Sequence, residues 1–159
     1  MFEITLDPGH QTVVKVMATL RYEVSRAAKR VQKQVGKQEP WDIEQDGLGG
    51  EMAAASIFNV FPQFSLSPDS GWDIMLNDKK IDIKTTQHEN GHLLCRLNAT
   101  KFPDLYMLMI GVFPVYRCAG WATPEELCCK ESIKYFGKGG AYALSQEELH
   151  PPEELLKEI

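Results

Sequence analysis

The stretch that decides the fold is GWDIMLNDKKIDIKTTQ, residues 71–87. Apolar and polar residues alternate on both sides of Asn77-Asp78, which predicts strands over 71–76 and 79–87 joined by a two-residue turn. Such a turn pairs Leu76 with Lys79. Counting outward sets Ile74 against Ile81, Asp73 against Asp82 and Trp72 against Ile83. One face then collects Trp72, Ile74, Leu76, Ile81 and Ile83 as a core face, apart from Lys79 at the turn, and the other collects Asp73, Met75, Lys80, Asp82 and Lys84, because side chains alternate with a period of two.

Two carboxylates directly across a strand pair lie about 5 Å apart at Cβ, where like charges are destabilising. A divalent cation between them removes the repulsion, and hard oxygen ligands select Mg²⁺ or Mn²⁺ over zinc. Lys84, two residues on and on the same face, can hold or deprotonate an attacking water, or neutralise charge on a phosphoryl oxygen. The alternative is an exposed hairpin whose Lys80 and Lys84 simply offset Asp73 and Asp82. An Asp-x-Lys on its own does not choose between the two. The apolar reverse face, the aspartate on the preceding strand and a Glu-bearing helix upstream narrow the choice.

That helix is predicted over about 49–60, opening with Gly-Gly-Glu and continuing MAAASIFNV, an Ala-rich run suited to close packing on a sheet. Glu51 falls in its first turn, where the helix dipole alone would favour an acid. Upstream, GKQEPWDIEQDGLGG reads as a loop. A longer helix is expected over about 12–37, with an apolar stripe through Val13, Met17, Leu20, Val24, Ala27, Val31 and Val35 facing the core. Arg26, Arg30, Lys33 and Lys37 form a basic row roughly 200° away. That row is either a solvated face or a surface for an anionic partner.

Further strands are expected over 92–97, 104–111 and 114–123, with turns at Asn90-Gly91 and near 111–114. Thr123-Pro124-Glu125-Glu126 opens a short helix, and residues 145–159 form another helical or capping segment. The order α, α, a run of strands, then α points to an α/β protein with a central sheet flanked by helices. At 159 residues, 43% of them apolar, the chain is expected to form one domain over 1–159.

The longest apolar run, LYMLMIGVFPVY at 105–116, is too short to cross a bilayer and reads as buried strand. The first residues, MFEITLDPGH, carry no secretory pattern, so a cytoplasmic protein is expected. Cys95, Cys118, Cys128 and Cys129 contain no C-x-x-C pair and read as reduced thiols. His88 and His92 flank Asn90-Gly91, so turn histidines are preferred over a zinc pair. The net charge of -5 argues against nucleic acid, but it is unevenly placed. Residues 145–159 hold five Glu and one Lys, net -4, whereas residues 12–37 hold seven basic residues and one Glu, net +6.

A helix with Glu, a strand with Asp, a turn and a strand with Asp-x-Lys resembles the PD-(D/E)XK nuclease superfamily. The matching residues are Glu51 in GGEMAAASIF, Asp73 in GWDIML, and Asp82 and Lys84 in IDIKTTQ. YRCAGWATPEEL and AYALSQEELHPPEEL are also similar to the carboxy-terminal part of small phage and prokaryotic nucleases of this group. The resemblance covers residues 47–155, and its specific part is those four residues. The family's Pro-Asp leaves Pro68-Asp69 open as an alternative to Asp73, which is preferred because it falls opposite Asp82.

The resemblance implies a restriction-endonuclease-like fold with a central mixed β-sheet of about five strands. It also implies an Mg²⁺- or Mn²⁺-dependent deoxyribonuclease, working in the cytoplasm of a prokaryote or a phage-infected host. Asp73, Asp82 and the Ile83 main-chain carbonyl would hold the metal. Glu51 would orient its water or a second ion, and Lys84 would position the nucleophile. Gln87 could orient Lys84. Arg26, Arg30, Lys33 and Lys37, with Lys101, would track the phosphate backbone of DNA. Since no base-reading module is visible, cleavage would be structure-specific or weakly sequence-specific. A homo-oligomer is left open. The alternatives are a catalytically inactive nucleic-acid-binding or assembly module of the same fold, and an interaction protein using its basic helix and acidic tail.

Overall fold

A computed structural model describes residues 2–28, 39–66 and 71–157. Eight strands and four α-helices are found among them: β1 (Glu3–Thr5), α1 (Pro8–Ala27), α2 (Pro40–Ile57), β2 (Ile74–Leu76), β3 (Lys79–Thr86), β4 (Leu93–Cys95), β5 (Leu105–Val112), β6 (Val115–Ala122), α3 (Pro124–Leu127), β7 (Ile133–Tyr135), β8 (Gly140–Leu144) and α4 (Glu153–Leu156). The protein is a mixed α/β structure. Its larger sheet has five strands in the order β1-β6-β5-β3-β2, and a second sheet has the order β4-β8-β7. The pair β3·β5 is parallel and every other pair is antiparallel.

The expected hairpin forms with the expected register, Leu76 against Lys79 and Ile74 against Ile81. Asn77 and Asp78 take φ of 51° and 61°, both in the left-handed region that a tight two-residue turn requires and that Asn and Asp tolerate. Ile74, Leu76, Ile81 and Ile83 are buried. They pack with Met107 and Met109 of β5, Ala53 to Ala55 of α2, and Val14 and Ala18 of α1.

The opposite face of the larger sheet, through Tyr106, Leu108 and Ile110, is covered by Leu93 and Cys95 of β4, Leu144 of β8 and Leu127 of α3. β5 is therefore covered on both sides, which is why LYMLMI can be a continuous apolar run. The long helices α1 and α2 thus cover one face, whereas the other carries the small sheet and the one-turn helix α3.

Several expectations are corrected. The 92–97 strand is not a member of the central sheet. The Asn90-Gly91 turn redirects the chain instead of closing a hairpin, and β4 pairs with β8. The fifth strand is β1, which alternation over three residues could not announce. β7 and β8 are likewise new.

Helix α1 starts at Pro8, ahead of the expected residue 12, because Asp7 caps it by accepting the His10 N–H at 2.9 Å and proline occupies the first turn. Its remaining expected part, residues 29–38, lies outside the described residues. The core face of α1 runs through Val14 and Ala18, while Val13, Leu20 and Val24 of the expected stripe are exposed. The helix is therefore turned by one residue position, about 100°.

Helix α2 begins at Pro40, inside the expected loop, with Asp42 in its first turn. The glycines that suggested a loop serve close packing instead. A Cβ on Gly49 would lie 2.1 Å from the Tyr116 hydroxyl oxygen, and one on Gly50 would lie 2.0 Å from Thr85 Oγ1. Among the described residues, no helix is long and apolar enough to cross a membrane.

Candidate active site

The regular ladder of the β2–β3 hairpin stops at Ile74. The next residue, Asp73, turns its N–H to Ile81 O at 2.8 Å, so Asp73 and Ile74 both address Ile81. Two residues opposing one is the arrangement of a β-bulge, which re-aims the side chain that carries it. Asp73 Oδ2 accepts the Ile83 N–H at 2.7 Å, and Asp73 O accepts the Gln63 N–H at 2.7 Å. Two expectations change as a result. Asp73 does not form a ladder pair with Asp82, and Trp72 does not join the Ile81–Ile83 face. Trp72 is only half-buried and has Lys80 Nζ 5.8 Å from its ring centroid.

Glu51 reaches the same region from α2, whose Ala-rich surface lets the helix lie close on β3. It is one of two buried polar or charged residues among those described, the other being Ser132. Arg21 of α1 meets it with two bonds, Nη1 to Oε1 at 3.2 Å and Nη2 to Oε2 at 3.4 Å. Asp82 and Lys84 lie two residues apart on one face of β3. Lys84 Nζ is 2.6 Å from Asp82 Oδ1 and 2.8 Å from Oδ2. Beneath them Tyr106 pairs with Asp82 across β3·β5, and Lys84 Nζ lies 6.0 Å from its ring centroid.

The four predicted residues Glu51, Asp73, Asp82 and Lys84 are thus brought into one electrostatic cluster, with Arg21 added. Burial, and then the Asp73 charge, push the Glu51 carboxyl up to about 8 against the pull of Arg21. Burial and then Asp82 push Asp73 up to about 6, opposed by the Ile83 N–H, Lys84 and Arg21. Burial also raises Asp82, opposed by Lys84. Three carboxyl groups face two cations, so ionising all three would leave one negative charge uncompensated in a desolvated site, and the raised values express that cost. A buried cluster of this kind is a candidate functional site.

As donors, Asp73, Asp82 and Glu51 are hard carboxylate oxygens suited to Mg²⁺ or Mn²⁺. The Ile83 C=O faces the same edge as its N–H, beyond the last ladder pair, because both groups of a strand residue point to one neighbour. The donor chemistry fits a divalent ion. Among the described residues, however, no three His, Cys, Asp or Glu side chains are gathered to hold one. Each carboxylate is turned to a protein donor instead: Arg21, the Ile83 N–H or Lys84.

Of the expected DNA-contacting row, Arg26 is exposed and lies 5.5 Å over the Tyr22 ring. Arg30, Lys33 and Lys37 lie outside the described residues, as does Asp69. Lys101 is exposed beside Gly71. Gln87 is exposed just past β3, as is His88, while His92 packs edge-on against Phe136 at 5.7 Å. Arg21 was not anticipated, although its position gave a signal: it continues the Val14–Ala18 spacing on the buried side of α1, where a charge needs a partner.

No protein-family model matches the chain, and no curated protein or solved structure does so either.

Proposed function

We propose that this protein is a divalent-metal-dependent nuclease that hydrolyses DNA phosphodiester bonds, with a restriction-endonuclease-like fold of the PD-(D/E)XK type. The observation that carries the reading is that Glu51 of α2, Asp73 just before β2, and Asp82 and Lys84 of β3 fall into one electrostatic cluster. Asp73, Asp82 and the Ile83 carbonyl, with Glu51, would hold Mg²⁺ or Mn²⁺. When bound, the metal supplies a water of lowered pKa and polarises the phosphate.

The chain's own groups supply the rest. Lys84, whose side chain is 40% exposed against 18% for Asp82, is accessible to a phosphoryl oxygen and can leave Asp82 to neutralise it. Glu51 is a buried acceptor, able to orient a water or take its proton at Oε1 or Oε2. Arg26 on the outer side of α1 offers a backbone contact without sequence readout. In this reading the protein works on DNA in the cytoplasm of a prokaryotic or phage-infected cell, with structure-specific or weakly specific cleavage.

The Asp82–Lys84 and Arg21–Glu51 pairs also favour a second reading, a catalytically inactive nucleic-acid-binding or assembly module in which these pairs are only structural. The two part company in a cleavage assay on single-stranded, duplex and branched DNA with Mg²⁺, Mn²⁺ or EDTA. The nuclease reading expects EDTA-sensitive cleavage that Asp82→Asn and Lys84→Ala abolish. Cleavage unchanged by EDTA or by both substitutions would overturn it, and DNA binding without cleavage would establish the second reading.

A further inference from the structure

We infer that Arg21 is a positioning residue of this site, acting through Glu51. The inference rests on the nuclease reading above. Arg21 occupies the core-facing side of α1, following Val14 and Ala18 at helical spacing, and its side chain is 20% exposed against 10% for Glu51. Its guanidinium donates in two directions. Nη1 and Nη2 take the two oxygens of Glu51, and Nε donates to Ser65 O at 2.9 Å.

Ser65 belongs to the segment that follows α2 and precedes β2. Two neighbours in that segment are already fastened to the hairpin: Pro62 bridges to Ile74, and the Gln63 N–H donates to Asp73 O. One planar group therefore ties the acid on α2 to the segment that runs along Asp73.

Without Arg21, the Glu51 carboxyl would lose the two-pronged partner that fixes its plane beside Asp73. With it, the Glu51 carboxylate is held in one plane. The bonds of 3.2 and 3.4 Å are longer than the 2.7–2.9 Å of a tight charge-assisted pair. Arg21 thus orients Glu51 while leaving its lone pairs free to accept a further donor. A lysine cannot reproduce this, since an ammonium is a point charge without a planar fork.

The test uses the full-length chain with Arg21→Gln, Arg21→Lys, Glu51→Gln and the Arg21→Gln/Glu51→Gln pair. Cleavage kinetics are measured with Mn²⁺, and Mn²⁺ affinity is measured separately by electron paramagnetic resonance of the free ion. Removing a partner that orients a metal-site group costs about 10 to 100-fold in affinity or activity. Arg21→Gln should therefore lower kcat or Mn²⁺ affinity by that factor with KM for DNA unchanged, and Arg21→Lys, which keeps the charge and guards against misfolding, should recover only part of it. The double variant should be no worse than Glu51→Gln alone.

A full further loss in the Glu51→Gln background would overturn the inference, as would a rise in KM alone, which marks a DNA contact. An Arg21→Lys variant equal to the native protein would overturn it too. In each of these cases native cleavage persists and the nuclease reading stands. A native protein that neither cleaves DNA nor binds Mn²⁺ removes both.

Discussion

Asp73 Oδ2 accepts the Ile83 N–H at 2.7 Å, so a side-chain oxygen stands where an undisturbed hairpin would place a main-chain carbonyl. Structure and proposed chemistry can therefore be separated at this residue. Asp73→Asn keeps an acceptor oxygen and should fold with a Tm within a few degrees of native while losing cleavage. Asp73→Ala strands the Ile83 N–H and should cost about 1–3 kcal/mol in urea unfolding. Equal destabilisation by both would show that the hydrogen bond is not what holds the bulge.

Stability should depend on pH in a stated direction. Glu51 is raised from 4.5 to about 8 and Asp73 from 3.8 to about 6 in the folded chain. Between those limits the folded state binds more protons than the unfolded state. Stability is therefore fully present below the unfolded values and is lost as pH rises through about 6 and then about 8. In EDTA, the urea midpoint should fall from pH 5 to pH 8.5. Glu51→Gln should flatten the upper part of that profile, and a native midpoint that rises with pH would refute the assignment.

Lys84 offers a test that separates catalysis from folding. Lys84 is 40% exposed, and Asp82, 18% exposed and already raised by burial, can take a proton once unpaired, so Lys84→Ala should change stability by only about 1 kcal/mol near neutral pH. The lost electrostatic stabilisation should lower kcat by about 10² to 10³-fold with little change in KM. A Tm loss matching the activity loss would instead make Lys84 a structural partner.

The glycines of α2 predict coupling across the helix–sheet contact. Gly50→Ala would place a methyl 2.0 Å from Thr85 Oγ1, a buried hydroxyl with no hydrogen-bond partner among the described residues. Overpacking of this kind costs about 1–3 kcal/mol. Thr85→Ala removes the obstructing atoms, so the double variant should recover most of the loss, and strictly additive Tm changes would count against direct contact.

The hairpin was legible because a two-residue Asn-Asp turn fixes register, and alternation then assigns every face. The bulge at Asp73 was not, since nothing in GWDIML distinguishes a strand that ends at Ile74 from one that continues. Alternation identified β4 as a strand but carries no information about its partner, so its place in the second sheet had to come from the structure. Helix α1 is apolar over much of its circumference, and spacing alone could not tell the Val13–Leu20 stripe from the Val14–Ala18 face. Glu51, Asp73, Asp82 and Lys84 were legible as a group through their order and spacing. Arg21 stands out as a charge only once the Val14–Ala18 face is known to be the buried one, and its partner Glu51 lies thirty residues away, beyond the reach of local pattern.

Strand β1 meets the larger sheet only through β6, with Ile4 against Tyr116. On the ribosome, β1 emerges well before β6 and has no strand to join until residues 115–122 have been made. The fold cannot assemble in the order of synthesis. The nascent chain must carry β1 unpaired while residues 6–114 are made, and the larger sheet cannot be completed before β6 exists to seat it.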